Sequence, residues 1–583
     1  MLGIKLASFL LLASVAIAQK IDYPTQITRG PFYDIRTYGA KCDNAANDHT
    51  AIQNTVDTAQ AAGGGIVMLP AAPCKSNSAI TVTGHVYIVG FGADASALVN
   101  GSSTDNAVVF DFTGGLSTST TGAGIFGVSV IGQYPFSNAA DSNAGAGIKV
   151  INAIDHVFLQ NFVVKNHKIG VYLVGGFYPR LNNFAIRNCN LAGVMVDGAS
   201  SVYIWQGSIS NFGSTGTINA AGAGLYWVSG SGLYVNDLDI TTFPTGVVTK
   251  PAAGQAASFG FFTSVKADGS RGSGWLFDGT DGSVSSMELT GSWGCYNGCT
   301  SGTTLSANMD ASQTSFTVVA PIDIYPANTT VGIGTEQLSC TTFSAITNTF
   351  SGCTRGFAGT VAATHTSGDN FWACWNPGNG IHVRGSHVSS ILVNGGRFND
   401  NGGNAMEFDS GTDIRVNGAY MTSNGQLQNN AFTGVLISAN VSTVSVMNST
   451  IGKPSTSILP GNPAWGINVA AGTGDYLKLA NNIITGNLLG AVTNSATGTH
   501  NEIYSNTGYN PVGLSSITVG SSPYTYTAGP SPEVVYIRSG TVSAVDRGAT
   551  TVCTASPCQV TLPPNGSVTV TYSVLPTMVK DIQ

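Results

Sequence analysis

The segment NAMEFDSGTD, residues 404–413, places Glu407, Asp409 and Asp413 within seven residues of a 583-residue chain in which only 9% of residues are charged. Upstream, GIHVRG from Gly380 carries His382 and Arg384, and GWLFDG from Gly274 carries Asp278. These residue types can do chemistry together. Two carboxyl groups can exchange a proton as acid and base, an imidazole can act as base near neutral pH, an arginine can neutralise an anionic substrate group, and carboxylates can hold Ca²⁺. Whether they meet depends on the backbone that carries them.

That backbone is legible as a repeat. One pattern, Gly or a small residue followed by apolar, any, apolar, reads GIKVIN at 147, GVYLVG at 170, GVMVDG at 193, GLYWVSG at 224, GWLFDG at 274, GIHVRG at 380, AMEFDSG at 405, GVLISAN at 434 and GINVAAG at 466. A second pattern alternates with it, an apolar residue, a corner residue two on, and further core positions three and five on. Its corners are Asn161, Asn183, Asp237, Gly395, Gly418 and Asn481, and its starts at Leu159 and Leu181 are 22 residues apart. Short strands, corners able to take left-handed angles and a period of about twenty-odd residues describe an all-β, right-handed parallel β-helix. A leucine-rich repeat would need recurrent Leu at fixed spacing and a helix-like half-repeat, whereas this chain favours β-branched residues and Asn. In this register Asp237 is a stacked, hydrogen-bonded corner residue rather than a ligand.

Composition narrows the function. With 23 basic against 30 acidic residues and no dense basic run, the footprint of a nucleic-acid binder is missing. Residues 1–18, MLGIKLASFLLLASVAIA, read as a secretory signal peptide, and no later stretch has the length of a membrane span, so the expected location is secreted or at the cell surface. Ten cysteines in an exported chain favour disulfides. Local spacing pairs Cys42 with Cys74, Cys340 with Cys353 and Cys553 with Cys558; Cys295, Cys299 and Cys374 bracket one segment, and Cys189 has no obvious partner. CYNGC lacks the second close Cys or His pair that zinc requires.

Near the start, DIRTYGA, NDHTAIQ, the GGG turn and the following LP resemble the N-terminal module of the pectate-lyase-like superfamily, in the rhamnogalacturonase and epimerase-like branch shared with phage tailspikes. Residues 50–62 look helical within it. Where that family usually carries Gly-Asp-Gly and paired Asp, this chain has Cys42-Asp43-Asn44 and Asp48-His49, which look like helix-capping and turn residues. Later segments resemble a small β module of phage-tail proteins and the C-terminal β modules that close such helices. The expected organisation is a signal peptide at 1–18, cap and first part of the β-helix at 19–300, an inserted β module at 301–373, the second part of the helix at 374–516 and a C-terminal β module at 517–583.

The resemblance implies a polysaccharide partner bound on an outer sheet, as monomer or homotrimer. In the first repeat the x positions face outward, giving one row Leu276, His382, Glu407 and a second row Asp278, Arg384, Asp409. Glu407 and Asp409 would serve a glycoside hydrolase as acid and base; His382 as base with Arg384 on a uronic carboxylate would serve a lyase, with Ca²⁺ on the carboxylates and otherwise no required cofactor. The same side chains would equally make ordinary cross-strand charge pairs on a non-catalytic, tailspike-like binding protein. The polygalacturonase motifs Asn-Thr-Asp, paired Asp and Gly-His-Gly are missing, and the one Gly-His, at His85, lies in an early coil. Outward Tyr172, Tyr203 and Tyr226 suit either sugar stacking or packing. His156, His167, His365 and His500 show no partner at motif spacing and read as surface or turn residues.

Overall fold

The computed structural model describes residues 31–583 apart from 115–121, 133–144, 155–156, 212–220, 320–324, 440 and 456–460. The proposed leader and His156 therefore lie outside the described residues. The chain is 53% strand and 4% helix, and its main body is a right-handed parallel β-helix.

Each coil contributes to two parallel ladders. The first ladder holds the Gly-led strands, among them Ile169–Phe177, Thr245–Thr249, Trp275–Asp278, Ile381–Arg384, Met406–Phe408 and Val435–Ile437. The second ladder holds the second repeat and bends at the corner residues, as in Val157–Lys165 and Arg180–Arg187. The strand Ala223–Thr241 runs through both ladders without a break.

The corners are left-handed where the sequence requires it. Asn161, Asn183, Asp237, Gly395, Gly418 and Asn481 have φ of 51°, 49°, 55°, 66°, 71° and 58°. Asn tolerates this region because its short side chain bonds locally; here Asn183 Nδ2 also donates to Asn161 Oδ1 of the preceding coil at 2.6 Å. The two repeats are coupled sterically. A Cβ on Gly193, Gly224 or Gly466 would lie 2.1 Å from the Cγ2 methyl of Ile209, Ile240 or Ile484. The residue that closes a coil thus rests on the glycine that opens it, which is why the first pattern begins with a small residue.

The core is one continuous apolar column that includes the fully buried Trp227, Phe262, Trp275 and Phe277. The helix His49–Ala61 buries Ile52, Val56 and Ala59 over its N-terminal end. Asp48, expected as a helix cap, makes no side-chain cap bond; its carboxylate instead accepts the Lys41 and Cys42 N–H groups at 2.7 and 2.9 Å, beside the Cys42–Cys74 disulfide. Asp43 does serve a turn, accepting from Ala45 and Ala46. At the other end two four-stranded antiparallel sheets, beginning with Gly513–Ile517 and Tyr524–Thr527, bond to the last coil through Ser531 Oγ to the Ile503 carbonyl and Asn565 Nδ2 to the Asn501 carbonyl. This covers strand edges that would otherwise template aggregation.

Between Cys299 and Cys374, which face each other in an antiparallel pair and are disulfide-bonded, a six-stranded antiparallel sheet leaves the helix. It has its own core of Phe316, Val331, Leu338, Phe350 and Phe371. Cys340–Cys353 closes a hairpin within it, and Cys553–Cys558 a loop of the C-terminal sheets. Cys189 and Cys295 are buried thiols. His365 and His167, read as surface or turn residues, are both buried. His365 Nε2 lies 2.8 Å from Glu336, a partner 29 residues away that local spacing does not reveal. Burial pushes the His167 imidazole down to about 4, so it stays neutral in the column. His500 is an exposed turn residue bonded to Asp475.

Glu336 is the polar centre of the insertion. Its buried carboxylate accepts from Arg355, His365 and the Gly356 and Ala363 N–H groups. Burial alone would raise this carboxyl, but those hydrogen bonds, Arg355 foremost, pull it from 4.5 to about 2. A folded-state value below the unfolded one means its stabilisation is complete above pH 4.5 and is lost as pH falls toward about 2. Acid titration followed by Trp372 fluorescence should show the insertion loosening within that window, and Arg355→Leu should move the loosening to higher pH. For the coil, Gly224→Ala should destabilise by about 1–3 kcal/mol through overpacking, and the penalty should shrink in an Ile240→Ala background, as a denaturation double-mutant cycle would measure.

Candidate active site

The outward face of the first ladder gathers the charged residues. Registry places Leu276 beside His382 and His382 beside Glu407, with Asp278 beside Arg384 in the adjacent row. His382 Nε2 lies 2.8 Å from Asp409 Oδ2, and Ser438 Oγ of the next coil donates to Asp409 Oδ1 at 3.2 Å. Glu407 Oε2 accepts from Asn379 Nδ2 at 2.6 Å and from Asn404 Nδ2 at 3.1 Å. The structure thus brings together His382, Glu407 and Asp409.

Asp278 differs from the expectation of an open outward carboxylate. Its side chain is 1% exposed, because Arg384 and Lys250 lie across it. Oδ2 accepts from Arg384 Nη2 at 2.8 Å and Nε at 3.1 Å and stands 3.2 Å from Lys250 Nζ, while Oδ1 accepts the Thr280 N–H. Burial opposes ionisation, but the bonds from Thr280 and Arg384 outweigh it and hold the carboxyl at about 2. Asp278 is therefore a fixed anion that positions two cations, and Arg384 bonds to it rather than bridging it to Asp409. The cations keep 44% and 39% of their side-chain surface exposed, so two positive groups share one buried negative charge.

Lys250, Asn379 and Asn404 escaped the sequence reading. GVVTK, from Gly246, follows the first pattern except for the buried Thr249 in its second apolar place, and counting it would have put Lys250 in the row of Asp278, Arg384 and Asp409. The asparagines precede their strands and carried no such signal. Further along the face, Tyr172 donates to Asp197 at 3.2 Å, and Tyr226 sits near Lys250 and Asp278, where burial raises its phenol. Tyr203 is on the other ladder, its ring stacked on Tyr234 at 4.9 Å, so there the aromatic is packing. Asp413 lies apart from the patch. It occupies a left-handed corner, φ 56°, and bonds Ser390 and Arg415.

The insertion meets the helix beside this face. Gln337 Nε2 donates to the Gln426 carbonyl, its Oε1 accepts the Asn429 N–H, and Trp372 stacks on Tyr296 at 5.3 Å. It packs on the turns between coils and leaves the Asp409 side chain 41% exposed. Two other features lie on or beside the second ladder. A cavity of about 250 Å³ is lined by Phe261, Leu392, Glu288 and Arg415. Asp268 and Asp400 are each pushed up to about 6, chiefly by burial and for Asp268 also by Asp239.

Ca²⁺ prefers about six to eight oxygen ligands. The patch offers one imidazole and two carboxylates, one oxygen of each already bonded to Asn379 and Asn404 or to Ser438. This donor set does not fit Ca²⁺.

The architecture and this patch define a parallel β-helix with a mixed-charge outer face. No protein-family model matches the sequence. The chain is similar to mannuronan C5-epimerase AlgE3 of Azotobacter vinelandii, 42% identical over 67 residues, which is 10% of this chain and 4% of that protein. It is similar over the same length to alginate lyase 7 of A. vinelandii, at 39% identity, covering 10% of this chain and 8% of the relative. The chain thus spans less than a tenth of the length of either relative. A family 28 exopolygalacturonase structure from Yersinia enterocolitica aligns at 9% identity over 79% of each chain, with a TM-score of 0.44.

Asp278→Asn should remove the charge that orders Lys250 and Arg384. It should destabilise by about 1–3 kcal/mol, the range for losing charged hydrogen bonds, as thermal unfolding at neutral pH would show. Asp197→Asn, away from both cations, should change stability far less.

Proposed function

We propose that the protein is an exported polysaccharide-modifying enzyme that removes the proton beside the carboxylate of a uronate residue in an acidic glycan. The observation that carries this is the conjunction of the His382–Asp409 pair with the two half-exposed cations on Asp278. Asp409 orients the imidazole, and a proton on Nε2 in that bond leaves Nδ1 as the basic nitrogen. Arg384, two residues along the same strand from His382 and so about 6.6–6.8 Å away, pairs with the substrate carboxylate together with Lys250. Neutralising that carboxylate stabilises the carbanion-like charge that develops beside it.

In the elimination reading, His382 takes the proton and the C–H electron pair becomes a carbon–carbon double bond. The bond to the leaving sugar oxygen breaks, and the proton now on His382 is available to that oxygen. The new end is an unsaturated uronate. Hydrolysis is the second reading, with Glu407 and Asp409 as its carboxyl pair. The hydrogen bonds described for Glu407 are all accepted ones, and Asp409 accepts from Ser438, an arrangement that does not set up the proton donor hydrolysis needs. The partial likeness to an epimerase and an alginate lyase supports a uronate substrate. Export is supported by the signal-peptide-like composition of residues 1–18 and by four disulfides; among the described residues no helix is long and apolar enough to cross a membrane.

A panel of polyuronates and neutral polysaccharides, assayed for unsaturated uronate and for reducing ends, tests this. Polyuronates should yield unsaturated product, His382→Ala should lower the rate by about 10²-fold or more, and Arg384→Ala should lower kcat as well as raise KM. Reducing ends without unsaturation would choose hydrolysis. Full activity in His382→Ala, Asp409→Asn and Arg384→Ala would remove the site, and binding without turnover would make this a recognition protein.

A further inference from the structure

We infer that His382, Glu407 and Asp409 form a binding site for a borderline divalent ion of the Zn²⁺ type, in preference to Ca²⁺, and that the bound ion shuts off the imidazole. The inhibitory part rests on the function proposed above; the binding does not.

One imidazole nitrogen and one carboxylate oxygen from each acid lie within 4.8 Å of one another. They come from neighbouring strands, Ile381–Arg384 and Met406–Phe408 with the residue after it, so the ladder fixes their separation. Zinc binds such nitrogen and oxygen donors at about 2.0–2.2 Å with tetrahedral geometry, so the donors must close in by side-chain rotation on the order of an ångström. The remaining position is left to water.

The neighbours suit the role. Asn379 and Asn404 hold Glu407 Oε2 and leave Oε1 to coordinate; Ser438 holds Asp409 Oδ1 and leaves Oδ2, the atom that already faces His382 Nε2. Carboxylates oriented in this way from behind are what metal sites require of their surroundings. A harder ion gains nothing from the imidazole and finds too few oxygens, whereas nitrogen donors suit zinc, copper and nickel. Replacing the His382–Asp409 hydrogen bond with a metal bond occupies the nitrogen through which Asp409 orients the ring. It also places a positive charge where the base must accept a proton.

Full-length protein freed of metal with EDTA is titrated with ZnCl₂ and, separately, CaCl₂ by calorimetry, and with CoCl₂ by visible absorption. The expected result is one Zn²⁺ per chain, at least tenfold tighter than Ca²⁺, and a Co²⁺ spectrum of low coordination number. Both should be lost in His382→Ala and weakened at least tenfold in Glu407→Gln. They should persist in His500→Ala, which removes the exposed His500–Asp475 pair as a competing site. Circular dichroism confirms that each variant is folded. Zinc binding unchanged in His382→Ala, or Ca²⁺ binding as tightly as Zn²⁺ at this site, would overturn the proposal. If turnover is found, stoichiometric Zn²⁺ should abolish it and EDTA restore it; turnover unaffected by site-bound Zn²⁺ would overturn the inhibitory part. If no polysaccharide is turned over, calorimetry and the Co²⁺ spectrum still decide the binding, so the two proposals fail separately.

Discussion

Every coil of this molecule depends on the next to satisfy its backbone. Parallel strands about 4.8 Å apart exchange their N–H and C=O groups between coils rather than within one, so no coil is stable alone. Corners that must turn left-handed, glycines that must admit an isoleucine methyl, and covered ends all follow from that demand. The helix His49–Ala61 and the C-terminal sheets sit at the two ends of the described stack of coils.

The same constraint builds the patch. Residues far apart in sequence become neighbours when their coils stack: Asp278 and Arg384 are separated by 106 residues yet lie in hydrogen-bond contact. On this face the electrostatics are set by burial beneath the surface. Asp278 is covered by its own partners, and this lets a chain in which only 9% of residues are charged present two cations beside an imidazole.

Period-based features were the legible ones. Asn161, Asn183, Gly395 and Gly418 announce their left-handed angles by residue type, and His382 beside Glu407 follows from counting outward positions. What failed was anything set by side-chain reach. Asp278 occupies the outward row but is covered by Lys250 and Arg384, which sequence position does not encode. His365, bridged to Met309 outside the strands, meets Glu336 through the irregular backbone of a non-repetitive module, and Asp48 turns its carboxylate back to Lys41 and Cys42 instead of forward to its helix. Both depend on folded irregular backbone, where no period helps.

The paired ends of the inserted sheet carry an evolutionary consequence. Cys299 and Cys374, 75 residues apart in sequence, are adjacent in register. To the helix, everything between them is one short link. A lineage can therefore lengthen, replace or delete that cassette without disturbing the registry of the coils, subject chiefly to the contacts at Gln337 and Trp372. The scaffold and its passenger can drift at different rates, and the insertion can change without remodelling the stack.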